Sequence, residues 1–260
     1  MPYIKEKDFL FQTIKEACNI YLTNGFSNIQ HKDTYDLVTD VDYKIETFIK
    51  QKINATFPLD DVVGEEFSPN LLTENTKRWW CIDPIDGTVN FAHHFPLYGI
   101  QVCLVEGNEP VLAMIVLPQL NDVFYAIKNH GAYHNNVKIN IHKNDISLSD
   151  AIIFCGDLSH KDETKRITQL KVIERLSSQV ARIKMVGAAC VDYTSVACGR
   201  GDGLISITKN VWDILPGILI CRESGILVTN LEGQPHKIGD SGVIAASNPT
   251  ILQALLNTFR

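Results

Sequence analysis

The sequence predicts an α/β protein in which two sheets and their helices are fused into one sandwich. Three observations predict it. Residues 99–127 alternate short apolar runs with turn residues, the pattern of an antiparallel sheet. From about residue 150, strand-like runs alternate with helical periods, the pattern of a second α/β layer. No Pro-, Gly- or Ser-rich linker separates the two stretches and no repeat is visible. Residues 1–148 are therefore expected to form an α+β half and residues 149–260 an α/β half of a single globular unit, with the site in the seam. A chain of 260 residues, 45% apolar and 21% charged, has the composition for a substantial core.

Residues 4–22 set Ile4, Phe9, Leu10, Ile14, Ala17, Cys18, Tyr21 and Leu22 at helical spacing, and Asn24-Gly25 supplies the stop. A second amphipathic helix carries Ile45, Phe48, Ile49 and Ile53. Asp36-Leu37-Val38-Thr39-Asp40-Val41-Asp42 leads into it, and acids in that place ordinarily serve as caps. Phe57-Pro58 breaks the helix; Asp61-Val62-Val63-Gly64 is a short strand ending at Glu65 and Glu66. Trp79, Trp80, Cys81 and Ile82 make a buried strand expected to stop at Pro84, which has no N–H and fixes its own φ. Residues 99–105 and 111–117 form a hairpin, 122–127 extend it, and 130–136 read as another turn. Further strands are expected at 151–155, 183–186, 203–207, 226–228 and 243–246. Helices are expected around 164–177, at 188–198, after Asp213, and at 249–259.

A net charge of −6 argues against a general nucleic-acid binder, which needs a basic face. It leaves room for anionic small substrates, because a metal reverses the charge of a pocket. Seven cysteines scatter without a CxxC pair, as in a reducing cytoplasm, and zinc-ligand spacing is missing. Residues 1–6 lack the basic-then-apolar pattern of a signal peptide, and no apolar run approaches membrane-spanning length. A cytoplasmic protein without membrane association is expected.

Chemistry concentrates at Asp83-Pro84-Ile85-Asp86-Gly87-Thr88. Two carboxylates three apart on a constrained turn can point into one cavity, as hard Mg²⁺ or Ca²⁺ requires. Gly87 permits a close approach, and a helix opening at Thr88 would offer N–H groups to a phosphate. Asp-Pro and Asp-Gly are also common turn punctuation. The rest of the chain tips the balance. Asp42, Glu65, Asp83, Asp86 and Asp213 each sit at a strand or loop end beside a helix, and together supply hard oxygens for two or three Mg²⁺ ions. Asp213 also reads as a helix start with Pro216 in the first turn. His93-His94 reads as a solvated loop pair, and Cys155-Gly156-Asp157-Leu158-Ser159 as a strand end that can line a substrate pocket.

Asp83-Pro84-Ile85-Asp86-Gly87-Thr88 with Asn90-Phe91 resembles the defining signature of the inositol monophosphatase family. Asp36-Leu37-Val38-Thr39 with Asp42 resembles its first acidic motif, and Gly64-Glu65-Glu66 its second. Gly187-Ala188-Ala189, Gly199-Arg200-Gly201-Asp202-Gly203, Trp212-Asp213 and Val243-Ile244-Ala245-Ala246-Ser247-Asn248 resemble its later motifs, in family order over nearly the whole chain.

The resemblance implies a layered α-β-α-β-α sandwich of the inositol monophosphatase and fructose-1,6-bisphosphatase type. It also implies a homodimer, hydrolysis of phosphate monoesters with Mg²⁺, and sensitivity to Li⁺. Carried over by motif, Glu65, Asp83 and the Ile85 carbonyl would hold a first metal, and Asp83, Asp86 and Asp213 a second. Glu65 would help a third through water. Thr88, paired with Asp42, would orient water for direct attack on a small phosphorylated polyol or sugar. Gly87 and Thr88 N–H groups would hold the phosphate, with Asp86, Ala188 and Ser206 against the substrate.

Two departures bear on substrate choice. Inositol-selective members carry an acid seven positions before the Trp-Asp aspartate, where this chain has Ser206. Small residues usually follow Trp-Asp, where this chain has Leu215-Pro216. A broadened pocket that also accepts the 2′-phosphate of NADP is a second expectation. The alternative from another class is a catalytically silent metal- or nucleotide-binding regulator on the same fold, against which the intact acids and Thr88 argue. Arg200-Gly201-Asp202 is read as part of a family motif rather than as an adhesion tripeptide.

Overall fold

The computed structural model describes residues 2–22, 28–33, 36–67, 77–140 and 146–259. The helix stop expected at Asn24-Gly25 lies outside them. Helix α1 (Ile4–Ala17) continues as a π-helical turn, Cys18–Leu22. Strands β1 (Ile29–Asp33) and β2 (Asp36–Thr39) pair antiparallel and lead into α2 (Asp40–Thr56).

The first large sheet holds β3 (Asp61–Gly64), β4 (Arg78–Asp86), β5 (Gly99–Glu106), β6 (Glu109–Leu117), β7 (Asp122–Ile127), β8 (Gly131–His134) and β9 (Val137–Lys138) in that order. Only β3–β4 is parallel among these pairs. The short helix α3 (Thr88–Ala92) follows β4. The second half adds β10 (Ile152–Cys155), α4 (Glu163–Ser177), β11 (Arg182–Lys184), α5 (Ala189–Ala197), β12 (Gly203–Ser206) and α6 (Val211–Ser224). It closes with β13 (Leu227–Thr229), β14 (Val243–Ala246) and α7 (Pro249–Asn257). Its sheet runs β11-β10-β12-β14-β13.

Side-chain alternation builds the layers. Trp80, Ile82, Val102, Leu104, Leu112 and Met114 face α1 and α2, where Leu10, Ile14, Ile45, Ile49 and Ile53 meet them. Trp79, Cys81, Cys103, Val105, Ala113 and Ile115 face the other way, against Val191, Tyr193, Ile214 and Ile218 of α5 and α6. Leu204, Val243 and Ala245 of the second sheet join that same central cluster. Ile205, Ile244 and Ala246 point outward to Val172 and Leu176 of α4 and Ile251 and Leu255 of α7. The order is thus helices, sheet, helices, sheet, helices: the predicted α-β-α-β-α sandwich.

Three expectations need correction. Strand β4 does not stop at Pro84; pairing with β5 is interrupted after Asp83 and resumes at Asp86↔Gly99, so a bulge absorbs the proline. Residues 130–136 are not one turn: Ala132 and Tyr133 pair with Ala126 and Tyr125 in β8, between turns at 128–130 and 135–136. Asp213 does not start its helix. Asn210 is the N-cap, Asp213 the third residue, and Pro216 lies inside α6. The apolar Val211 and Trp212, which pack on the central core, draw the helix start forward.

Arg200 pairs with Asp122 at 3.0 Å, and the Asp202 carboxylate accepts the Ile152 N–H at 2.9 Å. The Arg-Gly-Asp tripeptide is thereby built into the fold.

Candidate active site

The bulge in β4 turns Asp83 and Asp86 toward a cavity of about 330 Å³. Glu65 reaches it from the end of β3, the strand parallel to β4. Asp213 reaches it from the first turn of α6, and Ile85, Gly87, Thr88, Ala188 and Ser206 line it as well. Asp42 does not line the cavity. It is buried behind Thr88, whose hydroxyl lies 3.1 Å from Asp42 Oδ1 and 2.9 Å from the Ile85 carbonyl. Asp42 also keeps the cap role expected of it: its Oδ2 accepts the Thr39 N–H at 2.9 Å in a capping box.

Gly87 joins β4 to α3 at φ +87°. A Cβ there would come within 2.9 Å of the Ala188 Cβ and 3.1 Å of the Leu97 carbonyl, so only glycine fits. The first N–H groups of α3 have no carbonyl partners within the helix and lie beside the cavity lining. Asn90 holds this turn by donating to the carbonyls of Leu97 (2.7 Å) and Val186 (2.8 Å), one from each half of the chain.

Burial and crowding set the electrostatics. Asp83 is pushed well above the usual carboxylate range by burial and then by Glu65, Asp86, Asp213 and Asp42. Its Oδ1 is buried without a hydrogen-bond partner. Asp213 is raised by burial, Glu65 and Asp86, with Asn210 and Lys165 opposing. Burial lifts Asp86 to about 6 against the hydrogen bonds that hold it. Asp42 is likewise lifted to about 6, chiefly by burial. Lys165, on α4, is the cation among the described residues of the lining. Among the described residues, no three His, Cys, Asp or Glu side chains are gathered into a closed metal-binding cluster; the acids line a common wall instead.

Asp86 has a partner no motif announces. Its Oδ2 accepts the Cys190 N–H in the first turn of α5 and the Gln101 amide at 3.0 Å. Ala188, the N-cap of α5, provides no side-chain cap, so Asp86 takes that role across space.

Three further residues were missed by sequence reasoning. Glu46, fully buried, accepts the N–H groups of Glu66 (2.7 Å) and Phe67 (3.1 Å), fixing the loop that presents Glu65. Its signal was a charge beside Ile45 on the core side of α2, one turn after Asp42. Gln101 was a lone amide in an apolar strand. Lys165 gave no signal, because topology alone brings α4 to the cavity. The expected lining by 155–159 holds for Gly156 and Asp157. His93 and His94 are exposed, as expected of a solvated loop.

The chain matches the sequence pattern of the Inositol monophosphatase family over residues 8–260. It is 34% identical over 230 residues to a fructose-1,6-bisphosphatase/inositol-1-monophosphatase of Thermotoga maritima, covering 87% of this chain and 85% of that one. It is 34% identical over 206 residues to the Nus factor SuhB of Xylella fastidiosa, covering 79% and 73%. The crystal structure of the extragenic suppressor protein suhB from Bartonella henselae superposes with a TM-score of 0.89 at 26% identity, covering 98% of each chain. The chain belongs to the inositol monophosphatase family, and with it to the phosphoric monoester hydrolases.

Proposed function

We propose that the protein is a Mg²⁺-dependent phosphatase that releases phosphate from a small phosphorylated polyol or sugar, with the 2′-phosphate of NADP as a secondary substrate. The observation that carries this is Asp83: a buried carboxylate with an unpartnered oxygen, crowded by Glu65, Asp86 and Asp213 on the wall of one cavity. Such a set is costly alone and is relieved by a hard divalent cation, and every donor in it is oxygen.

Glu65, Asp83, Asp86, Asp213 and the Ile85 carbonyl are the groups that would hold two or three Mg²⁺ ions. Bound there, Mg²⁺ supplies Lewis-acid polarisation of the phosphoryl oxygens and acidifies water. The chain's own residues do the rest. Gly87 and Thr88 N–H groups hold phosphate oxygens at the head of α3. Thr88 Oγ1 has one proton and two lone pairs; giving the proton to Asp42 or Ile85 leaves a lone pair to orient a water. Asp42 accepts proton density behind it. Lys165 offsets negative charge at the cavity wall, and Ala188 and Ser206 border the alcohol portion. A homodimer in a reducing cytoplasm completes the proposal; the seven cysteines are all free, and no described helix is long and apolar enough to cross a membrane.

The test is phosphate release from inositol 1-phosphate, fructose 1,6-bisphosphate, phosphoadenosine phosphate and NADP, with Mg²⁺ and with EDTA. Release should require Mg²⁺ and fall on the order of a thousandfold in Asp83→Asn, the scale of several kcal/mol expected for a metal's share of the barrier. A folded, Mg²⁺-binding protein that releases phosphate from none of them would move the reading to a silent regulator.

A further inference from the structure

Asp192 has no part in the chemistry described above. It is the fourth residue of α5, 6% exposed, and it lines the same cavity as Ser206. Its Oδ1 is buried without a hydrogen-bond partner. A carboxylate near a helix N-terminus gains from the dipole, but that gain does not call for burying an unpaired oxygen beside a polar cavity. Its charged neighbours are Asp86 and Asp157, whereas Asp83 is crowded by Glu65, Asp86, Asp213 and Asp42. Asp192 therefore borders the acid cluster rather than belonging to it, on the side where Asp157 lines the cavity. The buried Tyr193 hydroxyl, from the next position of α5, meets Ser206.

A phosphate would be repelled there. Set at the border of the acid wall, the unpaired Asp192 oxygen fits a hydrogen-bond donor, and the donor a phosphate monoester of a polyol brings is a hydroxyl. We propose that Asp192 is a specificity residue, its Oδ1 accepting a hydrogen bond from a hydroxyl on the alcohol portion of the substrate. Ser206 is a short neutral side chain, and the carboxyl acceptor on this wall comes from α5 instead. This rests on the phosphatase reading and names the substrate class it selects: esters of polyhydroxylated alcohols over esters without hydroxyls. A site that reads a hydroxyl discriminates strongly against an analogue lacking it, because its own buried acceptor is then left unpaired.

The experiment measures kcat and KM for myo-inositol 1-phosphate and for p-nitrophenyl phosphate, which offers no hydroxyl, in the wild type, Asp192→Asn and Asp192→Leu. In Asp192→Leu the ratio of kcat/KM for the inositol ester to that for the nitrophenyl ester should fall about tenfold, mainly through KM, the size expected for one hydrogen bond to a carboxylate. Asp192→Asn keeps an acceptor oxygen and should recover most of the ratio. Asp192→Ser gives the same readout should the leucine not be accommodated. An unchanged ratio, or an equal loss on both esters, overturns the assignment of Asp192 while leaving the phosphatase standing. A wild type that hydrolyses neither ester overturns both.

Discussion

Thr88 has one proton and two acceptors in reach, and in the proposed mechanism that arithmetic would make Asp42 a titrating control on the site. Asp42 is lifted to about 6 by burial. Its ionised, accepting form therefore predominates above that value and fades as the pH falls through it. The rate should show an acid limb near pH 6 in a kcat/KM profile from pH 5 to 8. Asp42→Asn should flatten that limb and slow the reaction by about 10²–10⁴, the usual span for a lost proton acceptor. A limb that survives the substitution would assign it to another group. Gly87→Ala is a second residue-scale test. Both the φ of +87° and the 2.9 Å approach to Ala188 oppose it, so a loss of activity larger than any loss of helix content is expected by circular dichroism and assay together.

Among elements, the helices and strands with a clear period were legible in the sequence. The continuous apolar run Trp79, Trp80, Cys81 and Ile82 gave β4, and the helical spacing of Leu10, Ile14 and Ala17 gave α1. What a period cannot express is a charge held by the backbone of another element. Glu46 looks like a helix-surface acid by composition, yet it is packed against Gly64, where a Cβ would meet its Oε1 at 2.1 Å. Glu46→Ala should leave two N–H groups of the 65–67 loop without their acceptor. The expected cost is about 1–3 kcal/mol in urea unfolding, with Mg²⁺ affinity weakened in calorimetry. The start of α6 was misjudged for a related reason: Asp213 and Pro216 fit a helix start by local rules, but core packing of Val211 and Trp212 decides. Gly217, one residue past that proline, makes room for the Tyr193 ring, which a Cβ would meet at 2.2 Å. Gly217→Ala should cost about 1–3 kcal/mol through overpacking between α5 and α6.

For the whole molecule, the five acids of the site were legible as residue types but not as one electrostatic unit, since their mutual burial depends on how the seam closes. That unit is expected to set how stability responds to pH. Asp42, Asp83, Asp86 and Asp213 are all raised above their unfolded values. Their contribution is therefore fully present below the ordinary carboxylate range near 3.8 and is lost as the pH rises through the folded values. In EDTA, the melting temperature should climb as the pH is lowered from 7.5 to 5.5, and saturating Mg²⁺ should level the slope. A rising Tm toward neutral pH in EDTA would contradict the crowding. The bond from the Cys190 amide to Asp86 gives this unit an audible terminal. One backbone proton in the second half of the chain listens to a carboxylate in the first. In a ¹⁵N-labelled sample its resonance should serve as a native gauge of the seam, shifting on addition of Mg²⁺ if Asp86 takes the proposed role, with no attached dye or engineered tag.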